Sequence, residues 1–377
     1  KSNMPGLLNA LQFPLWRKIF GVIANCRPFI QVSSMHIVLV SPAWPPEKFS
    51  NGIVTYVKNL RDEFLSLGHE VSILVLFNRY KGDDPDIHNV DASLRYRLQA
   101  KLHRALGNKQ WELEQWGRMV AKNLLLLHRR KPIDVIDMEE SYGWFGCVAE
   151  RTNIPVVVKL HGPTFLVTPP TPVTNVSVKR RIELEGEALA SIGTIISPSQ
   201  CTLNDTISYY SLQPKHSQHI VNALTDRTDL PLWSQDKCEK NTILFVGRFD
   251  LIKGADIVLN AFKILFSLNN DLKLVFVGPD YGIADMSGTI QNADHYLAQM
   301  FKGPELDAIT FLGRRTPAEI EILRTKAAVT IVASRWENQS YTTLEAMLQG
   351  CPVVASASGG TAEIIRDNDT GRLFISE

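Results

Sequence analysis

The run Ala327-Ala328-Val329-Thr330-Ile331-Val332-Ala333, followed by Trp336-Glu337-Asn338-Gln339-Ser340-Tyr341-Thr342-Thr343-Leu344-Glu345-Ala346-Met347, decides how this chain is read. The first part is apolar and of strand length. The second is a short polar turn leading into a helix expected to run to Gly350, with Glu345 at its start. A strand end, a turn of backbone N–H groups and a helix N-terminus thus converge, and a helix N-terminus favours phosphate. The carboxylates Glu337 and Glu345 suit sugar hydroxyls instead. A ligand that carries both kinds of group is a nucleotide sugar.

Working outward, the same strand–loop–helix rhythm occurs in two blocks. In the first, His36–Ser41 is a strand, a Pro-rich loop leads to Asn51-Gly52, and Ile53, Val57, Leu60, Phe64 and Leu67 form a helical apolar stripe. Gly68 ends that helix and Val71–Phe77 is the next strand. Residues 91–130 read as helical. Further strands are Val135–Asp137, Val156–Leu160 and Thr194–Ser197. Residues 226–240 are polar, contain Pro and lack apolar periodicity, which marks a linker. The pattern then restarts with strands at Thr242–Gly247, Leu272–Val277, Ile309–Gly313, Val329–Ala333 and Pro352–Ala355, with helices between them. The expectation is α/β, with two Rossmann-like domains facing across a cleft. Residues 1–34 are an N-terminal extension, 35–225 the first domain and 226–377 the second.

Bulk properties exclude several classes. The 377 residues suffice for about two domains. Lys+Arg 40 against Asp+Glu 39 leaves no basic footprint for a nucleic acid. Cys26, Cys147, Cys201, Cys238 and Cys351 are scattered and never spaced Cys-x-x-Cys, which argues against a disulfide scaffold or zinc site and for a reducing compartment, the cytoplasm. No apolar run reaches the ~18–20 residues of a membrane span. Within residues 7–23, Leu7, Leu8, Leu11, Leu15, Trp16, Ile19, Phe20 and Ile23 recur at helical spacing near Arg17 and Lys18. One reading is an interfacial helix making peripheral contact with the inner membrane face. The other, which we favour, is an arm packed on the protein's own body.

A second chemical signal is Gly247-Arg248-Phe249-Asp250-Leu251-Ile252-Lys253-Gly254, between a strand and a helix at the ligand edge of the sheet. Arg248 and Lys253 would set two cations over a pyrophosphate, the former as a fork and the latter as a point charge. A basic pair alone is more often a solvated loop. With the glutamate pair at the same sheet edge, a phosphate site is the better reading.

Together, Gly247-Arg248…Lys253-Gly254, Phe311-Leu312-Gly313, Glu337-x7-Glu345-Ala346-Met347, Gly350–Ala355 and Gly359-Gly360…Glu363-Ile364 resemble glycosyltransferase family 4, retaining enzymes of GT-B fold. The resemblance covers about residues 35–375 and is looser in the first domain. It implies transfer of a hexose-type sugar from a UDP-, GDP- or ADP-sugar to a hydroxyl of a saccharide, lipid-linked or small-molecule acceptor, in polysaccharide or glycoconjugate synthesis. No metal and no cofactor beyond the nucleotide sugar are expected. Asp84-Pro85-Asp86 and Asp367-Asn368-Asp369 spell Asp-x-Asp but lie in polar turns outside these motifs.

Residue by residue, the resemblance implies that Glu345 accepts from the ribose hydroxyls and that Glu337 lies beside the transferred sugar. Gln339, Ser340, Tyr341 and Thr342 line the sugar and diphosphate with backbone amides. Arg248 and Lys253 neutralise the departing diphosphate. Gly52 permits close approach to the phosphates. Gly313 and Arg314 border the nucleobase, and His161 sits across the cleft near the reacting carbon. Asp137, Glu139, Glu140 and Tyr142 are acceptor ligands or a capped helix start. Trp44 is an acceptor-stacking ring or a loop anchor. Front-face attack and a covalent intermediate on Glu337 both stay open. The rivals are a non-catalytic nucleotide-sugar-binding or scaffold protein and a GT-B epimerase or phosphorylase. Family members usually add C-terminal helices after Gly371–Phe374, so the second domain is expected to lack them. They also commonly carry Pro-Phe-Gly where this chain has Asn338-Gln339-Ser340.

Overall fold

A computed structural model describes residues 34–49, 51–107, 109–168, 175–224, 229–284 and 289–375. The amphipathic stretch 7–23 lies outside them, as do Glu377 and the start of the expected linker. The chain divides into two compact units, the change falling at Ala223/Leu224.

The first unit is built on seven strands: β1 (His36–Ala43), β2 (Glu70–Asn78), β3 (Ile87–Asn89), β4 (Val135–Glu139), β5 (Val156–Lys159), β6 (Thr194–Ser197) and β7 (His216–His219). Their order is β3-β2-β1-β4-β5-β6-β7, and every pairing is parallel. Parallel sheets are covered on both faces, so inner strands are apolar throughout. β1 shows this, with Ile37, Val38, Leu39 and Val40 all buried. The helix Gly52–Ser66 is capped by Asn51, whose side chain accepts from Ile53 N, and it buries Val54, Val57, Leu60 and Phe64. Strand order reverses between β1 and β4, and on such sheets ligands lie beyond the carboxyl ends there.

Two details differ from the sequence reading. The helical region 91–130 is two helices, Leu94–Ala105 and Lys109–Arg130, parted near Gly107, whose φ of +72° suits glycine. The strands β3 and β7 went unread because they are short and not apolar runs.

The second unit holds β8 (Glu239–Val246), β9 (Lys273–Val277), β12 (Ile309–Gly313), β13 (Ala327–Val332), β14 (Val353–Ser356) and β15 (Arg372–Phe374) in the parallel order β12-β9-β8-β13-β14-β15. An unforeseen antiparallel pair, β10 (Ile283–Ala284) with β11 (Ile290–Gln291), branches off after β9. Phe245, Phe249, Phe262, Phe276 and Phe301 fill the core on one face of this sheet. Each such ring contributes about 1.5–3 kcal/mol by leaving water. The helix Pro317–Lys326 opens with a Thr316/Glu319 capping box, and β13 follows directly from Ala327. The helix after β13 spans Tyr341–Leu348 and is capped by Ser340, which accepts from Thr343 N. Glu345 therefore sits a full turn inside it, not at its start. Among the described residues no helix is long and apolar enough to cross a membrane.

Candidate functional site

In the second unit, the loops that follow β8 and β13 are fastened to each other. Arg335 N donates to Ile252 O at 2.8 Å, and the Arg335 guanidinium forks onto Asp256 at 2.8 and 2.7 Å. Gly254 has φ +71°, and a Cβ there would stand 1.9 Å from Ala333 O, so only glycine lets the first loop lie on the end of β13.

This fastening brings Lys253 to Glu337. Lys253 Nζ donates to Glu337 Oε1 at 2.5 Å, and Ser334 Oγ donates to the same oxygen at 2.7 Å. The glutamate backbone is held as well. Gly360 N donates to Glu337 O at 2.8 Å, and Gly359, at φ +53°, lies so close that a Cβ would be 2.0 Å from that oxygen. Arg248 has its own carboxylate: Nε is 2.7 Å from Asp250 Oδ2, while Asp250 Oδ1 accepts from Lys253 N. The guanidinium also lies 5.3 Å from the centre of the Tyr281 ring. The two cations expected side by side are thus each matched to an acid of their own, so neither stands as an unpaired charge. An incoming diphosphate would compete with these acids for the cations.

Gln339 and Ser340 are buried at the helix start, Tyr341 and Thr342 half-buried beside them, and Thr342 Oγ1 reaches Val246 O at 3.5 Å. Glu345 pairs with Arg324 from the preceding helix at 2.5 Å. Gly313 has φ +65° with open space around it and accepts from Gly278 N, and Arg314 is exposed.

In the first unit, β4 ends in a buried acidic cluster. Asp137 Oδ2 accepts from Tyr56 OH at 3.0 Å, and Glu139 accepts from Ser141 Oγ at 3.1 Å. Glu140 accepts from His161 N at 2.8 Å and Gly162 N at 2.7 Å. Glu185 accepts from Thr164 N, Thr164 Oγ1, Tyr142 N and Arg181 Nε. The loop His161–Thr164 therefore hangs between two buried glutamates. Burial pushes the Glu140 carboxyl up to about 8, with Glu185 and Glu139 adding to it against the two N–H bonds. The half-buried His161 ring meets Tyr56 edge-on at 4.9 Å. Burial, and then the Lys159 charge, hold its pKa down near 3. Burial also lowers Lys159 and raises Asp137, each opposed by the other's charge, and Lys159 Nζ donates to Ile220 O at 2.7 Å.

Of the acceptor-side expectations, Trp44, Asp137 and Glu139 are buried, which fits loop anchors better than sugar-stacking or sugar-binding groups. Tyr142 is half-buried at φ +61°, with Arg181 4.1 Å over its ring and Trp144 stacked on it at 4.6 Å. Gly52 opens its helix with nothing within 4 Å of where a Cβ would sit. Sequence reasoning missed Tyr56, Glu185, Arg181, Ser334 and Arg324. Asp250, between Arg248 and Lys253, carries no sequence signal that assigns it to either cation. The others occupy ordinary helix, cap or loop positions, and no local pattern points to them. Among the described residues, no group of three or more His, Cys, Asp and Glu side chains is placed to hold a metal ion.

Two family models tile the chain: Glycosyltransferase Family 4 matches residues 50–225, and Glycosyl transferases group 1 matches residues 233–377. Spore coat protein SA of Bacillus subtilis is 31% identical over 137 residues, which are 36% of this chain and 35% of that protein. The matched stretch spans about a third of the length of the curated relatives that match first. Sucrose-phosphate synthase from Thermosynechococcus elongatus is similar in structure with a TM-score of 0.68 and 19% identity, over 90% of this chain and 86% of that one. Anabaena HepE, solved in complex with UDP-glucose, is similar with a TM-score of 0.61 and 16% identity, over 90% and 85% of the two chains. Both are likenesses of fold, and the fold is GT-B.

Proposed function

The chain belongs to glycosyltransferase family 4, and from that premise we propose a retaining, metal-independent enzyme that moves a hexose-type sugar from a nucleoside-diphosphate sugar to a hydroxyl of a saccharide, lipid-linked or small-molecule acceptor. The carrying observation is the contact of Lys253 with Glu337 one turn ahead of the Tyr341–Leu348 helix. A cation, a carboxylate and a helix N-terminus are what a ligand that is part phosphate and part sugar requires. That a structural neighbour was solved with UDP-glucose is consistent with the donor class.

In this reading the transferred sugar's hydroxyls face Glu337, and the amides of Gln339 to Thr342 receive the sugar and diphosphate. Lys253 and Arg248 exchange their acids for the diphosphate as it departs. Charge grows on the leaving group as the glycosidic bond lengthens, so cations aimed there stabilise the transition state more than the ground state. Gly313 and Arg314 border the base, Glu345 takes the ribose, and Gly52 leaves room for the phosphates. His161, held neutral, is the first unit's contribution to the reaction. The buried Trp44, Asp137 and Glu139 and the strained Tyr142 set the shape of the acceptor-side loops.

The test is donor turnover with UDP-, GDP- and ADP-hexoses, with and without EDTA, and NMR assignment of the anomeric configuration of the product. Turnover in EDTA with retained configuration is expected. No turnover of any donor, or an inverted product, would defeat the proposal.

A further inference from the structure

Among the described residues of the second unit Arg324 is the least exposed charged side chain, at 2%, and it stands in the last turn of the helix Pro317–Lys326. Taking a guanidinium out of water costs several kcal/mol unless its hydrogens are matched. Here the match is partial. Nη2 donates to Glu345 Oε2 at 2.5 Å and Nη1 to Gln349 Oε1 at a longer 3.3 Å. Nε has no hydrogen-bond partner among the described residues. Such a pair is a weak device for stability, since an apolar side chain of similar volume commonly does as well. Its geometry is well suited to another task. Gln349 is itself held, its Nε2 donating to Pro231 O at 3.0 Å and Glu321 O at 2.9 Å. The guanidinium thus rests on a fixed amide through Nη1 and presents Nη2 to Glu345.

Glu345 differs from its partner in exposure: its side chain is 41% exposed and Arg324 is not. One carboxylate oxygen is therefore tied from the buried side, which narrows the orientations open to the carboxylate before any ligand arrives. A cis-diol gains from that, because two hydroxyls donate together at less entropic cost to a carboxylate already held near the right orientation.

We propose that Arg324 is a positioning residue for nucleotide recognition. It fixes Glu345 so that the carboxylate receives the ribose diol, and without it the enzyme loses its preference for ribose over deoxyribose. This rests on the reading of Glu345 as the ribose anchor.

The experiment measures the affinity of the full chain for UDP, GDP and ADP, each against its 2′-deoxy counterpart, in the wild type, Arg324→Met, Glu345→Gln and the double variant. Expected is a ribose preference of tenfold or more in the wild type for the base that binds, falling to below threefold in Arg324→Met. The double variant should show no further fall. Affinity for inorganic pyrophosphate should stay within twofold in Arg324→Met, which a general loss of structure would not permit. If Arg324→Met weakens the ribo and deoxy forms equally, the proposal is overturned while Glu345 keeps its role. If Glu345→Gln keeps the full ribose preference, or if none of the three diphosphates binds, the underlying reading fails and the proposal with it.

Discussion

Lys253 and Glu337 form an ion pair with the lysine 28% and the glutamate 12% exposed, and Ser334 shares the same carboxylate oxygen. In the proposed function the pair is the donor site at rest: a cation parked on an acid, where a diphosphate and a sugar would each claim one member. Lys253→Ala should lower kcat by about 100-fold or more, the scale of losing one group aimed at developing charge. Its effect on stability should be under about 1 kcal/mol, because a part-exposed pair contributes little. Steady-state kinetics beside a urea melt separates the two. A large stability loss with unchanged kcat would make the pair a structural clasp.

Gly359 offers a way to move Glu337 without touching its side chain. At φ +53°, with Glu337 O 2.0 Å from the place of a Cβ, Gly359→Ala meets both backbone strain and a collision. The strain alone costs about 1 kcal/mol or more. We expect a lowered melting temperature and at least a tenfold fall in kcat, with the soluble fraction still folded by circular dichroism. Full activity in that variant would show that the Gly359–Glu337 contact does not set the carboxylate.

His161 should act as a neutral ring throughout the physiological range, since burial and Lys159 hold its pKa near 3. In a 15N titration between pH 5 and 8 its ring nitrogens should show no protonation shift of their own. His161→Ala should reduce kcat by about 100-fold, the lower range for loss of a positioned proton-transfer or hydrogen-bonding group. A ring titrating near its ordinary 6.5 would contradict the burial that defines this site.

The parts of this fold that could be read in advance share a physical cause. β1, β8 and β13 are covered on both faces, so burial writes itself into consecutive apolar residues such as Ile37–Val40. β7, His216–His219, is an edge strand of exposed and half-buried polar residues, and its pairing to β6 leaves no such trace. The candidate site divides the same way. Glu337, Lys253 and the Gly359-Gly360 turn lie on loops at strand ends, where unusual residue types stand out. Arg324 and Glu185 are single charged residues in ordinary amphipathic helices, and packing alone decides which charged helix residue turns inward. The starting point of the helix at Tyr341 was misplaced because Ser340 caps it through Thr343 N, a signal hidden among the neighbouring hydroxyl residues.

Glu140 makes the stability of the first unit depend on pH in a stated direction. Its carboxyl ordinarily loses its proton at 4.5, and in the fold burial, Glu185 and Glu139 push this up to about 8. Between those values the folded chain holds a proton that the unfolded chain releases, so raising the pH favours unfolding. The contribution is complete below 4.5 and is lost as pH rises through 8. One such group changes stability by at most about 1.4 kcal/mol per pH unit. His161 and Lys159, both lowered, work in the opposite sense, so the wild-type curve alone would mix these effects. Glu140→Gln isolates the glutamate, because it removes the titration while keeping the size of the side chain. At pH 5 the variant should be less stable than the wild type by about 1–3 kcal/mol, since its amide sets an NH2 against one of the N–H groups of His161 and Gly162. That gap should shrink by roughly 1 kcal/mol per pH unit toward pH 7.5, because the unfolded wild type releases the Glu140 proton that the fold keeps. Paired urea melts at pH 5, 6, 7 and 7.5 measure it. A gap that stays constant across those four values would mean that Glu140 is already ionised in the fold, with the two backbone N–H bonds outweighing burial.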